Sequence, residues 1–197
     1  MVEELPEGLS RPLAGVPFSL RLGMGYSRAA RQIRHADTCE SSQRLATSFQ
    51  QLRAIVQYAY DKVPYYRERY QSAGFSPADL RDPVDWERIP VITKDDLQSI
   101  SFAERCNLGV RGIRVNTGGT SGQPLEFLLD DQAFAREWAH MHYIWRARGY
   151  DPSHLKLTFR GKHYDPCIPF RYNAVHNEYI VNSNCPLEHL ARALEEL

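Results

Sequence analysis

Many of the signatures that usually disclose a function are missing from this chain. No run of Lys or Arg disturbs a formal net charge of zero, with 24 basic residues balancing 24 acidic ones. The electrostatic footprint of a nucleic-acid or acidic-membrane binder is therefore lacking. No apolar stretch approaches the length needed to span a bilayer. The N-terminus, Met1-Val2-Glu3-Glu4-Leu5-Pro6, is acidic and interrupted by proline, unlike a secretory leader, so cytoplasm is the expected compartment. There is no internal repeat and no low-complexity tract. Cysteine is sparse: Cys39, Cys106, Cys167 and Cys185 are scattered with no Cys-x-x-Cys pair, which favours reduced structural thiols over disulfides. His163 with Cys167, and Cys185 with His189, could complete a tetrahedral zinc set. Their spacing is unorthodox, and cysteines and histidines without a metal are the expectation.

What is present is a globular composition. The 197 residues are 43% hydrophobic and 24% charged, enough for one domain with a core or for two small ones. The most informative stretch is Asn116-Thr117-Gly118-Gly119-Thr120-Ser121-Gly122-Gln123-Pro124. Its glycines free the backbone to turn so that successive N–H groups converge on an anion, and the hydroxyls of Thr117, Thr120 and Ser121 add donors. Gly112-Ile113-Arg114-Val115 before it alternates as a strand does. Pro124-Leu125-Glu126-Phe127-Leu128-Leu129 after it leads to Asp130-Asp131, a cap for the next helix. The order strand, loop, strand, helix differs from a Walker A motif, which requires Gly-Lys-Ser/Thr and opens directly into a helix. No Gly-x-Gly-x-x-Gly occurs, and Thr120-Ser121-Gly122 lacks the Gly-x-Ser-x-Gly elbow of a nucleophilic serine. Composition alone leaves two readings open, a phosphate-binding loop and an ordinary hairpin turn.

Elsewhere, helices and strands interleave, which predicts a layered α/β fold. Residues 1–40 read as an irregular N-terminal segment with an arginine patch at Arg28, Arg31 and Arg34. Residues 41–105 read as mainly helical, and residues 106–197 as an α/β region built around the loop. Leu45, Phe49, Leu52, Val56, Ala59 and Val63 recur at helical spacing until Pro64 ends or kinks the helix. A shorter helix around Tyr65 to Ala73 stops at Gly74, and Thr93 caps a turn carrying Asp95 and Asp96. Lys94 is assigned no chemistry. A helix from about Asp131 to Arg148 carries Phe134, Trp138, Met141 and Trp145 on one face, read as core. His140 and His142, two apart, point in different directions and cannot share a metal; they are expected at the surface or partly buried. Leu155–Phe159 and Tyr179–Val181 are strand candidates. Pro186 opens a helix with Leu187, Leu190, Leu194 and Leu197 on one stripe. That stripe lacks a cap or polar tail and is expected to meet a partner surface or a second copy.

The segment Thr117-Gly118-Gly119-Thr120-Ser121-Gly122-Gln123-Pro124 resembles the Thr/Ser-Ser-Gly-Thr/Ser-Thr-Gly-x-Pro signature of adenylate-forming enzymes, the acyl-CoA synthetases and their relatives. Within them the chain is most similar to the phenylacetate–CoA ligase branch, including the CapK-type proteins of capsular polysaccharide gene clusters. Tyr58-Ala59-Tyr60-Asp61-Lys62-Val63-Pro64-Tyr65-Tyr66-Arg67 and Ile89-Pro90-Val91-Ile92-Thr93-Lys94-Asp95-Asp96-Leu97 each resemble a stretch of that branch, in the same order. Asn177–Ser183 with the leucine-rich helix after it looks CapK-like. Gly118 stands where the family usually has Ser or Thr, and Gln123 where many superfamily members carry Lys.

The resemblance implies an N-terminal fragment of the large layered α/β domain of an adenylate-forming enzyme. It implies ATP, Mg²⁺ and coenzyme A as ligands and a small carboxylic acid as substrate. Thr117, Gly118, Gly119, Thr120, Ser121 and Gly122 would hold the β- and γ-phosphates as binding residues rather than general acids or bases. The adenine pocket, the acidic magnesium and ribose contacts and the adenylation lysine map to no residue of this chain, so a fragment inactive by itself is expected. Two other readings stay open: a non-catalytic CapK-like partner protein in polysaccharide assembly, and a small phosphate-binding protein whose loop converged.

Overall fold

The computed structural model describes residues 11–117, 123–160 and 168–195, and the chain divides into two compact units, residues 34–133 and residues 1–33 with 134–197.

In the unit of residues 34–133, α3 (Ser41–Lys62) is ended by its own sequence. Val63 precedes Pro64, and the proline ring drives it to the extended conformation (φ −122°, ψ 111°), so the helix cannot continue. Pro64 then occupies the first turn of α4 (Pro64–Ser72), where a missing N–H costs nothing. Val63 thus caps both helices. Arg67 reaches back across the corner, donating from Nε to Tyr60 O at 3.0 Å and from Nη2 to Asp61 O at 2.6 Å, which satisfies carbonyls that α3 leaves open. Gly74, at φ +66°, takes the left-handed turn that closes α4. The expected apolar face of α3 is buried from Phe49 onward, while Leu45 is 58% exposed. Val56, Tyr70, Phe75 and Leu80 form the core, with Phe49, Leu52, Tyr60, Tyr66, Ile89 and Ile92 packed around them. Ser76, Thr93 and Ser101 each open a short turn by a reciprocal capping box, including α5 (Lys94–Gln98) and α6 (Phe102–Arg105). The Thr93 backbone N–H, then its hydroxyl, holds the Asp96 carboxyl below the usual carboxylate range. Strands β1 (Gly112–Asn116) and β2 (Glu126–Asp130) close the unit as an antiparallel hairpin, with Gly112 opposite Asp130 and Asn116 opposite Glu126. A Cβ at Gly112 would run into the carbonyl of Leu129, so only glycine fits there.

In the other unit, α1 (Phe18–Arg21) leads through Gly23 into α2 (Gly23–Thr38), which runs on past Ile33. Residues 18–38 of the segment expected to be irregular are therefore almost wholly helical. Its apolar face is Tyr26, Ala29, Ala30 and Ile33, which the two small alanines make inconspicuous, and Arg28, Arg31 and Arg34 lie exposed. Helix α7 (Ala133–Arg146) follows β2 as anticipated, beginning after Asp130 Oδ1 accepts the Gln132 N–H at 2.8 Å. The line it buries is Ala135, Ala139 and His142, not the aromatic stripe: Phe134 is 47% exposed. Large rings do not fit where α7 meets Phe18, Tyr26 and Ala29, so alanines make the contact and Trp138 packs at its margin.

Strands β3 (Lys156–Arg160), β4 (Phe170–Asn173) and β5 (Glu178–Asn182) form a sheet ordered β3-β5-β4, with β3–β5 parallel and β4–β5 antiparallel. Strand β4 was not among the strand candidates. Asn177, at φ 48°, turns the chain from β4 into β5. Strand β5 is buried along its whole length, with Glu178 inaccessible. Thr158 Oγ1 donates to Glu178 Oε2 at 2.7 Å and Asn173 Nδ2 to Oε1 at 3.1 Å, with Lys156 Nζ 3.9 Å away. Helix α8 (Leu187–Glu195) covers Val181 and Cys185 with Leu190, while Leu187 is 82% and Leu194 41% exposed. Leu197 lies outside the described residues.

His142 is 1% exposed, which corrects the expectation of a surface or partly buried histidine; His140 is exposed. Phe18 meets the His142 ring edge-on at 4.5 Å and Tyr26 Oη lies 2.9 Å from Nδ1, while Nε2 has no partner among the described residues. Burial first, then the positive charge of Lys156, His176, Arg146 and Arg21, lowers its pKa from 6.5 to about 4. The unfolded chain takes up this proton near pH 6.5, so stability present above 6.5 is lost as pH falls toward 4, by on the order of 3 kcal/mol. An NMR titration is expected to show His142 neutral down to about pH 5; a midpoint near 6.5 contradicts the packing.

Candidate functional site

The loop that stands out in the sequence falls between β1 and β2 in the chain. Gly118, Gly119, Thr120, Ser121 and Gly122 lie outside the described residues; Thr117 and Gln123, on either side, are described. Thr117 is more than a candidate phosphate donor. Its N–H donates to Leu125 O at 3.0 Å, and its Oγ1 accepts the Leu125 N–H at 3.0 Å. One residue thus makes both bonds of a narrow hydrogen-bonded pair, with its side chain in place of its carbonyl. Because Oγ1 acts as acceptor here, its own proton remains available for an anion. Thr117 therefore joins the end of β1 to the residue that precedes β2 by both bonds.

The hairpin is braced from the helical side by residues with no signal in the sequence. Gln98, the last residue of α5, donates from Nε2 to Gln123 O at 2.6 Å. Arg105, the last residue of α6, donates from Nη1 to Leu97 O at 3.0 Å and to Ile100 O at 2.6 Å, and from Nε to Glu126 O at 3.3 Å. Across the strands, Arg114 pairs with Glu126 at 2.5 Å and lies 4.1 Å over the Phe102 ring. Both partners are about half exposed, so the pair sets register more than it adds stability.

A cavity of about 430 Å³ lies in the same unit, lined among others by Tyr58, Arg105, Cys106, Asn107, Phe127 and Asp130. Asn107 Nδ2 donates to Tyr58 Oη at 2.8 Å across its wall. Cys106 and Cys185 are buried free thiols and Cys39 is a half-buried one. His163 and Cys167 lie outside the described residues, and among the described residues no three His, Cys, Asp or Glu side chains gather as a metal site. Among the same residues, no helix is long and apolar enough to cross a membrane.

Comparison with known proteins supplies the class. No family model matches the chain. Over 90 residues, 45% of this chain and 21% of the relative, it is 30% identical to the phenylacetate-coenzyme A ligase of Escherichia coli (strain K12). Over 81 residues, 40% of this chain and 18% of the relative, it is 31% identical to the phenylacetate-coenzyme A ligase of Aromatoleum evansii. These matches span about a fifth of the length of the curated relatives. Two solved structures of 2-hydroxyisobutyryl-CoA ligase share the fold over 81% of this chain. The open conformation, in complex with 2-HIB-AMP and CoA, gives a TM-score of 0.55 at 22% identity over 39% of that chain. The postadenylation state, in complex with 2-HIB-AMP, gives 0.56 at 20% identity over 35% of that chain. The chain thus has an α/β fold corresponding to part of an adenylate-forming CoA ligase. Among the ligases of that superfamily, the sequence likeness is to the phenylacetate–CoA enzymes.

Thr117→Val removes the acceptor for the Leu125 N–H without changing side-chain shape, and is expected to destabilise the hairpin by about 1–3 kcal/mol. Thr117→Ser is expected to retain the bond. Amide exchange at Leu125 reads both: faster in the valine variant, near wild type in the serine variant. Equal protection in the valine variant would show that Oγ1 does not hold the Leu125 N–H.

Proposed function

We propose that this chain is a portion of an ATP-dependent carboxylate-activating ligase, phenylacetate–CoA ligase-like, and that it does not complete a catalytic cycle by itself. The observation that carries this reading is the strand–loop–strand hairpin with its Gly/Thr/Ser sequence, set within a fold shared with CoA ligases over 81% of the chain. In this reading Thr117, Gly118, Gly119, Thr120, Ser121 and Gly122 hold the β- and γ-phosphates of ATP. Backbone amides and hydroxyls neutralise the charge that grows as pyrophosphate leaves. The reaction class is attack of a carboxylate oxygen on the α-phosphorus, which releases pyrophosphate and leaves an acyl-adenylate. A thiol, that of coenzyme A, then displaces AMP from the acyl carbon. Magnesium would accompany the nucleotide, and ATP and coenzyme A assign the cytoplasm as compartment. The region 106–197 would be an incomplete domain, with the remaining contacts supplied by further polypeptide.

A second reading is favoured by one observation. Leu187 and Leu194 on α8 are 82% and 41% exposed, an apolar surface suited to self-association or a partner. On that reading the chain is a non-catalytic CapK-like partner protein in capsular or cell-surface polysaccharide biosynthesis. The mass of the native product in its own cells separates the two: a polypeptide markedly longer than 197 residues supports the ligase, and one of this length supports the partner protein.

Calorimetric titration with inorganic pyrophosphate tests the loop itself. The chain is expected to bind it, and the double variant Thr120→Ala/Ser121→Ala to bind it more weakly, by roughly 1.5–3 kcal/mol for each donor to the charged ligand. Equal affinity in the double variant would overturn the phosphate reading. ATP–pyrophosphate exchange over a panel of aryl carboxylic acids is expected to be absent for this chain alone; exchange by it would show a self-sufficient enzyme.

A further inference from the structure

We propose that the face of β3 carrying Leu157 and Phe159 seats a further amphipathic helix, supplied by the remainder of the ligase polypeptide. This rests on the chain being a portion of a ligase, and it names the surface on which the rest of that ligase sits. Side chains in register across a sheet share a face. Phe159, Val181 and Phe170 therefore form one row across β3, β5 and β4, and Leu157, Tyr179 and Tyr172 form the next.

The two faces of this sheet are covered differently. On one, Lys156 Nζ lies 4.9 Å over the Trp138 ring of α7, and Thr158 donates to the buried Glu178. On the other, Leu190 of α8 packs with Val181 and Phe170, and Arg11 Nη2 donates to Tyr179 Oη at 2.9 Å. That second cover stops short of β3. Val181 is inaccessible and Tyr179 is buried, yet their row partners Phe159 and Leu157 are 68% and 47% exposed.

The shortfall has the width of a helix. Strands lie about 4.8 Å apart and a helix with its side chains is about 10 Å across, so one helix covers two strands. Helix α8 covers β5 and β4, and β3 requires another. Parallel strands such as β3 and β5 are ordinarily covered on both faces. Among the described residues β3 pairs only with β5, but a strand added at its outer edge would leave Leu157 and Phe159 bare. The occupant that fits is therefore a helix with an apolar face. The chain accounts for 39% and 35% of the two ligase chains whose fold it shares, so a ligase of that length has further polypeptide to supply one.

The test is hydroxyl-radical footprinting of this chain and of the full product of its gene isolated from its own cells, with an added peptide as dosimeter. Oxidation of Phe159 in the full product is expected to fall about ten-fold, the drop from 68% exposure to that of a buried ring, with Leu157 following it. Thermal melting of Phe159→Glu is read alongside. The substitution is expected to leave the melting point of this chain unchanged, because the ring is exposed there, and to lower that of the full product by several degrees. A longer product whose Phe159 and Leu157 are oxidised as readily as in this chain overturns the proposal and leaves the ligase reading standing. A full product of 197 residues overturns both. Protection within this chain that is lost on dilution gives the face to a second copy, and likewise overturns the proposal.

Discussion

The guanidinium of Arg105 ties the short helices α5 and α6 to the second strand of the β1–β2 hairpin. Short helical turns such as α5 and α6 have no stability of their own, because a single turn fixes several dihedrals for one hydrogen bond. Likewise, an isolated two-stranded hairpin is marginal in water. Arg105 addresses both weaknesses at once. Its planar donors meet the carbonyls of Leu97 and Ile100 where the turns would leave them bare, and that of Glu126 where the hairpin begins its second strand. A lysine could supply a charge at this point but not three donors in a fixed plane. The capping boxes at Thr93 and Ser101 then set the direction of each turn.

Elements whose signals are local were legible in the sequence. Pro64 and the periodicity of Phe49, Leu52 and Val56 place α3 and its end, Gly74 ends α4, Thr93 caps α5, and alternation marks β1 and β3, with β2 and β5 read as strands without it. The misses share a cause. Helix α2 buries alanines, whose small apolar faces look neutral in a pattern, and its arginines suggest an unstructured surface when they simply face water. On α7 the eye follows the large rings, but the tight contact belongs to Ala135, Ala139 and His142. His142 is polar and nevertheless core, because Tyr26 answers one of its nitrogens and aromatic rings surround it. A histidine's environment is decided by residues more than a hundred positions away, and no window along the chain contains them.

The candidate site divides along the same line. Its Gly/Thr/Ser composition is readable because an anion loop needs backbone freedom and small donors, and both leave a compositional trace. The residues that brace it are not readable, since Gln98 and Arg105 bond to backbone carbonyls, which every residue possesses. Even Thr117 acts partly in this hidden way. The likeness to phenylacetate–CoA ligases and the shared fold with 2-hydroxyisobutyryl-CoA ligase agree with the superfamily that the loop sequence resembles.

Val63 belongs to two helices at once, as the last cap of α3 and the first of α4, and this sharing bears on how the chain can change length over evolutionary time. An inserted residue between Lys62 and Pro64 would part the two caps, turn the face of α4 away from Val56, and draw Arg67 off the carbonyls it covers. The turns opened by Ser76 and Thr93 are different, because each carries its own cap. The corner at Pro64 therefore admits no change of length, whereas a residue gained between the turns at Ser76 and Thr93 leaves both of their caps intact.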